Sequence, residues 1–345
     1  MRMNSRLSLP LVAALLLSCG MAVPPLSAKK VETYICASVT RDSFVGKPAI
    51  PEDGLLKLKA DGSWSHIGYI DGSIMQVAFD PRDSRVFYLA ALNGCFRTLD
   101  GGKTWRITTS WDITEPRDVC VDQNAPDDVY IALPDGIALS SDRAQTWKRV
   151  ETGLPERGRY TQCVQTDRTR AGRVLAGCEH GIYLTDDRGA SWRPVLATAA
   201  TVDGISQSSG DPARWFAVTQ SDGAWTSADG GRSWTRLQDV PGQNALYNVS
   251  VSGADPRRVA IGSWTYGVLT SEDGGKTWLP RNAGLPSGHH VWRVGIDPET
   301  GRLYASVWNE DIFTSDDFGR TWKANGFDNF RINSFSFVAR GGDRR

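Results

Sequence analysis

Seven tryptophans recur at nearly even spacing, Trp64, Trp105, Trp147, Trp192, Trp234, Trp278 and Trp322, in steps of 41, 42, 45, 42, 44 and 44 residues. Six of them close one segment, Ser/Thr-x-Asp-x-x-x-Ser/Thr-Trp, whose aspartates are Asp100, Asp142, Asp187, Asp229, Asp273 and Asp317. A shortened copy stands at Asp61-Gly62-Ser63-Trp64. That period matches one four-stranded propeller blade, a unit that stacks on its neighbours to bury its apolar faces. The segment also carries its own chemistry. An Asp in a tight turn folds its carboxylate onto backbone N–H groups, a Gly two residues on relaxes the chain reversal, and the Trp plugs the gap between units. The second copy has Ala144 at the glycine position, so a strained or differently shaped turn is expected there.

Alternation and turn signals place the strands. Inner strands are predicted over 75–80, 117–122, 161–166, 204–208, 247–252, 291–297 and 332–338. Six of these lead into second strands at 86–92, 129–133, 174–178, 215–219, 259–263 and 303–307. Asp-Pro pairs at Asp80, Asp211, Asp255 and Asp297 mark turns between them. The ends do not coincide with the repeat. Before Trp64 the chain offers second, third and fourth strands (34–39, 55–59, 64–67) without an inner one, and after Trp322 it offers a single inner strand. The expectation is an all-β, single seven-bladed propeller over residues 30–340, closed by the C-terminal strand pairing with the three N-terminal strands, which removes the open edges of a linear stack. A long loop over 41–53 and a frayed tail over 341–345 complete the domain.

The segment resembles the Asp-box, or BNR, repeat of sialidases, xyloglucanases, sortilin-type receptor domains and photosystem assembly factors of the Ycf48 kind. In that family the boxes are structural and lie away from the working face, which is what the resemblance implies for Asp61 and the six full-copy aspartates. Ala91-Leu92-Asn93-Gly94-Cys95-Phe96-Arg97 matches a xyloglucanase segment with alanine where the catalytic acid stands. Phe330-Arg331-Ile332-Asn333 resembles the sialidase Phe/Tyr-Arg-Ile-Pro motif with asparagine in place of proline; the plainer reading is an inner strand entered by a surface arginine.

Residues 1–28 read as an export signal: Arg2 and Arg6, an apolar run from Leu7 to Leu17 too short to span a bilayer, then small residues. Cleavage after Ala28 and lipidation at Cys19 are alternatives, so the protein is expected to be secreted or periplasmic, or anchored through Cys19. With 39 basic and 39 acidic residues, nothing favours nucleic acid or an anionic membrane. The cysteines outside the signal, Cys36, Cys95, Cys120, Cys163 and Cys178, lack metal-ligand spacing, and no metal or cofactor is expected. Cys163 and Cys178 fall on adjacent strands and are the one candidate disulfide, to be decided by geometry. Lys103, Arg232, Lys276 and Arg320, inside the boxes, should ring the bottom face as solvated turns.

Function is then sought on the opposite, top face, where the loops between second and third strands and the links between blades gather. Candidate carboxylates there are Glu179, Asp222, Glu310 and Asp311. Candidate ligand-binding residues are Trp111, His180, Trp264, Tyr266, His289, Trp292 and Trp308. Trp264, Tyr266, Trp292 and Trp308 are expected to form an aromatic arc. Three readings follow: a non-catalytic platform, expected to be monomeric, for a glycan or an extracytoplasmic protein; a glycoside hydrolase using two carboxylates roughly 5–10 Å apart; and an assembly factor.

Overall fold

A computed structural model describes residues 31–39, 53–327 and 330–339. The export signal, Cys19, most of the 41–53 loop and the 341–345 tail lie outside the described residues. Each repeat becomes one antiparallel sheet, and there are seven sheets of four strands among the described residues. Numbered from the N-terminal full repeat, blades 1 to 6 take their inner strands from Gln76–Phe79, Asp118–Val121, Thr161–Thr166, Val202–Gln207, Leu246–Val251 and Val291–Ile296. Blade 7 takes its inner strand from Phe330–Ala339 and its other three from Val31–Val39, Gly54–Leu58 and Trp64–His66.

The composition of each strand follows its place. Second strands such as Val129–Leu133, Val259–Ser263 and Leu303–Val307 are buried along their whole length, because neighbouring blades cover both faces, and their sequences are correspondingly apolar throughout. Outer strands are short and mostly polar, as in Lys148–Arg149 and Thr235–Arg236, which blunts the exposed sheet edges. Closure is the longest ladder in the ring: Val31 to Val39 pair with nine residues between Ala339 and Phe330, against four or five pairs at the inner edge of the other blades.

Each full box is a self-contained hydrogen-bonded knot. In blade 1, Asp100 Oδ1 accepts the N–H groups of Lys103 and Thr104 at 3.0 and 2.9 Å, the Thr104 hydroxyl donates to Oδ2 at 2.7 Å, and the Gly102 N–H donates to the Thr98 hydroxyl at 2.9 Å. The second box keeps these bonds: the Ala144 N–H reaches Ser140 Oγ at 2.8 Å and Thr146 braces Asp142. It does so with Arg143 and Ala144 both left-handed, φ 62° and 57°, a conformation that strains residues carrying a Cβ. The shape is therefore retained and only the strain departs from the pattern.

The cysteine pair does not form a disulfide. Cys163 and Cys178 are free, because Cys163 opposes Gly177, the residue before Cys178, and successive residues of a strand point to opposite faces. The two thiols are thereby sent to separate clusters on opposite faces of the blade. The Cys178 sulfur lies 3.5 Å from the Thr161 hydroxyl, and the Cys163 thiol faces the Val202 carbonyl at 3.7 Å.

Candidate functional site at the mouth of the channel

The seven inner strands enclose an axial channel of about 1580 Å³. Near its top each inner strand gains one residue. In blades 3 to 7 the ladder skips Gln162, Asp203, Tyr247, Trp292 and Asn333. In blades 1 and 2 the N–H groups of Met75 and Arg117 bond the Ala90 and Ala132 carbonyls, the residues that pair with Gln76 and Asp118. A bulge of this kind bends the strand and re-aims a side chain. Met75, Arg117, Gln162, Asp203, Tyr247, Trp292 and Asn333 thus form one equivalent ring at the mouth.

The next residue of several blades laces that blade to its neighbour. Asp118 accepts the Val164 N–H at 3.0 Å, Asn248 pairs with both backbone groups of Val294 at 2.8 and 2.9 Å, and Arg293 Nε donates to the Asn333 carbonyl at 2.8 Å. The Asn333 amide then reaches the Ile74 carbonyl at 2.8 Å across the closing junction. Asn333, the departure from the sialidase motif, is a buried ring-closing residue, and Arg331 beside it is partly buried, with Nε 3.0 Å from Asn333 Oδ1.

Above this belt five rings interlock. Tyr247 lies 4.3 Å from Trp292 and 6.1 Å from Trp264, measured between centroids. Trp264 stacks on His290 at 4.3 Å and meets Trp308 edge-on at 5.6 Å, and Trp308 meets Trp292 at 5.5 Å. Arg293 sits 4.7 Å over Trp292 and Arg331 6.0 Å over Trp308. Beside the rings, toward blades 3 and 4, a cavity of about 350 Å³ is lined by residues that include Gln162, Asp203, Gln220, Tyr247, Trp292 and Arg293.

The polar groups of this wall are short of partners. Asp203 Oδ2 and Trp292 Nε1 are buried without a hydrogen bond, as is Arg117 Nε on the neighbouring channel wall. Burial pushes the Asp203 carboxyl up to about 7 with Arg293 opposing as a nearby cation, and pushes Asp118 up to about 7 against the N–H groups of Val164 and Val119. Burial likewise brings Arg293 down to about 10.

Of the residues singled out in the sequence, Trp264, Trp292 and Trp308 come together. Tyr266 turns outward, its hydroxyl accepting from Asn244 at 3.0 Å and its ring packing on the core between blades. His289 lies beside Pro286 and Gly267. Trp111 is 91% exposed on the link after blade 1, and His180 is exposed beside Gly158. The carboxylates are dispersed. Asp222 accepts the Thr198 hydroxyl at 2.8 Å, Asp311 accepts the N–H groups of Gly326 and Phe327 at 2.9 and 2.6 Å, and Glu310 is exposed. Glu179 is half-buried in blade 3. His290, on the blade link before the Val291–Ile296 strand, joins the cluster, whereas Tyr247, Asp203 and Arg293 sit on inner strands, away from the loops and links where site residues were expected. A charged residue inside an otherwise apolar inner strand is the signal that marks Arg293. Among the described residues no group of three or more His, Cys, Asp or Glu side chains is arranged to hold a metal.

Residues 312–324 match the family described as BNR-Asp box repeat. Over 164 residues the chain is 27% identical to an oligoxyloglucan-reducing end-specific xyloglucanase of Emericella nidulans, a match covering 43% of this chain. It spans only 20% of that enzyme's length. Among solved structures, an ancestral GH74 enzyme aligns with TM-score 0.54 and 18% identity over 61% of this chain and 31% of that one. YCF48 bound to D1 peptide aligns with TM-score 0.56 and 17% identity over 73% and 80%. The chain is a seven-bladed propeller, one repeat of which, over residues 312–324, matches the BNR-Asp box repeat family.

Proposed function

We propose that this propeller is an extracytoplasmic binding module that seats a glycan or protein partner on its top mouth. The observation that carries the reading is the cluster of five interlocked rings, flanked by Arg293 and Arg331 and bordering a cavity whose wall keeps unpaired polar atoms. Aromatic anchors beside a few directional polar groups are the usual composition of a recognition site. The export-signal reading of residues 1–28 supports a secreted or periplasmic setting, with a lipid anchor on Cys19 as the alternative. A monomer suffices, since the ring closes on itself.

Glycoside hydrolysis is the second reading, favoured by the match to the xyloglucanase. It needs an acid and a second carboxylate facing one bond. Against it, Asp222 and Asp311 already brace their own loops, and Ala91, at the position where the xyloglucanase resemblance calls for an acid, is fully buried. The deciding experiment pairs glycan and peptide arrays with a hydrolysis screen on xyloglucan and related polysaccharides. Binding without turnover, lost when Trp264 and Trp308 are both replaced by Ala in a folded protein, is the expected result. Turnover that disappears with Glu179→Gln, Glu310→Gln or Asp203→Asn overturns the binding-only reading.

A further inference from the structure

We infer that the cavity at the mouth takes a neutral, polyhydroxylated ring, the terminal residue of an oligosaccharide, seated on bulge residues of the inner strands rather than on the loops. This rests on the binding reading above and narrows it to one ligand class and one location.

The location follows from the bulges. Gln162, Asp203, Tyr247 and Trp292 occupy the same extra position in four consecutive blades, and all four line the cavity. Three members of the same ring carry a buried polar atom without a partner: Arg117 Nε, Asp203 Oδ2 and Trp292 Nε1. Burying such atoms unpaired is costly, and two of these residues, Asp203 and Trp292, line the cavity itself, which points to a ligand there.

The ligand class follows from what the wall offers. The Gln162 and Gln220 amides and the Trp292 indole bring N–H donors to the cavity wall, and Asp203 brings a carboxyl group. A hydroxyl group donates and accepts, so a ring bearing several can pair with these side chains while laying an apolar C–H face on Tyr247 or Trp292. An anion fits poorly, because Arg293 has spent Nε and Nη1 on the carbonyls of Asn333 and Trp292 at 2.8 and 2.9 Å and Asp203 shares the cavity. A cation fits poorly too, because Arg293 lines the cavity and Arg117 and Arg331 stand beside it at the mouth. A volume of about 350 Å³ lies near the lower end of the usual ligand-site range, roughly 300–1,000 Å³, which suits one chain end rather than a long segment.

The test is calorimetric titration, with saturation-transfer NMR to map the bound ring, on a panel of neutral oligosaccharides, their uronate-containing and amino-sugar counterparts, and unrelated peptides. A neutral oligosaccharide is expected to bind through its terminal residue. Trp292→Phe, which keeps a ring and removes the N–H, and Asp203→Ala should each weaken it at least tenfold, while Lys276→Gln on the far face stays within twofold. Near-UV circular dichroism identifies any variant that has not folded, and the NMR epitope on the wild-type protein then decides alone. Neutral glycans that respond to Trp264→Ala but to neither cavity variant overturn the location and leave the platform standing. Binding of charged saccharides or peptides only overturns the ligand class. A panel with no binder at all overturns this inference and the binding reading together.

Discussion

At the bottom of the ring an aspartate is saturated with donors, whereas at the top the same residue type is starved of them. Asp100 and Asp317 take hydrogen bonds from the hydroxyls and N–H groups of Thr104 and Thr321, and these hold both carboxyls down at about 2. Asp203, on the channel wall, has one buried oxygen without a partner and is pushed up to about 7. The bottom repeats one solution because it only has to turn the chain and seal the blades. The top shares a backbone position, the bulge, yet fills it with Met75, Arg117, Gln162, Asp203, Tyr247, Trp292 and Asn333. Regular backbone with irregular side chains is what recognition requires, and satisfied side chains on a repeated turn are what stability requires.

The largest break in this comparison is removal of the element both ends share. A chain ending at Asn329 loses the inner strand Phe330–Ala339 and its nine pairs with Val31–Val39, together with the Asn333 stitch to Ile74. It leaves the inner edge of Val31–Val39 unpaired. Loss of the cooperative thermal transition is expected in calorimetry, and a sharp transition near the wild-type temperature would show that the ring does not need closing. A smaller effect separates two kinds of box on the bottom face. Arg188 reaches from the blade 3 box to Asp128 of blade 2, whose carboxylate is 1% exposed, whereas Arg232 of the blade 4 box bonds only the carbonyl of its own Asp229 at 2.8 Å. Arg188→Ala strands a buried charge and should cost about 1–3 kcal/mol by urea unfolding, while Arg232→Ala should stay within about 0.5 kcal/mol. Equal losses would mean that the boxes brace only themselves.

The bottom of the molecule was legible in the sequence because each box is local: Asp, Gly and Trp at fixed offsets state the turn, and the apolar runs between them state buried second strands. Second strands such as Val129–Leu133 and Leu303–Val307 fall where the pattern put them, and closure followed from counting strands at the two ends. The mouth was less legible for a physical reason. A bulge arises from a mismatch between two paired strands, and Gln162, Asp203, Tyr247 and Trp292 share no residue type that would announce it. Polarity misled in the loops, where Asp222 and Asp311 are spent on local hydrogen bonds, and informed in the inner strands, where Asp118 and Arg293 lace neighbouring blades.

The sharpest form of the contrast is its sign in pH. A folded-state carboxyl raised from the ordinary value of 3.8 to about 7 keeps a proton that the unfolded chain has released, so between about pH 4 and 7 the native state binds more protons and stability falls as pH rises. Asp203→Asn removes that dependence. It should stabilise the protein at pH 8 by about 1–2 kcal/mol, after allowance for water in the channel, and reduce the slope of the stability profile between pH 4 and 7 to the part that Asp118 contributes. Asp273 in the blade 5 box has the opposite sign: partial burial raises it but is outweighed by the Thr277 hydroxyl and N–H, which hold it at about 2. Its contribution is complete above about pH 4 and is lost as pH falls toward 2. Asp273→Asn should therefore cost about 1 kcal/mol at neutral pH and leave the profile above pH 4 unchanged in shape. Urea unfolding across pH 3–8 on both variants measures the two slopes. If Asp203→Asn destabilises at pH 8, the wall carboxyl is held ionised by Arg293, and the donor-starved mouth on which the sugar assignment depends does not exist.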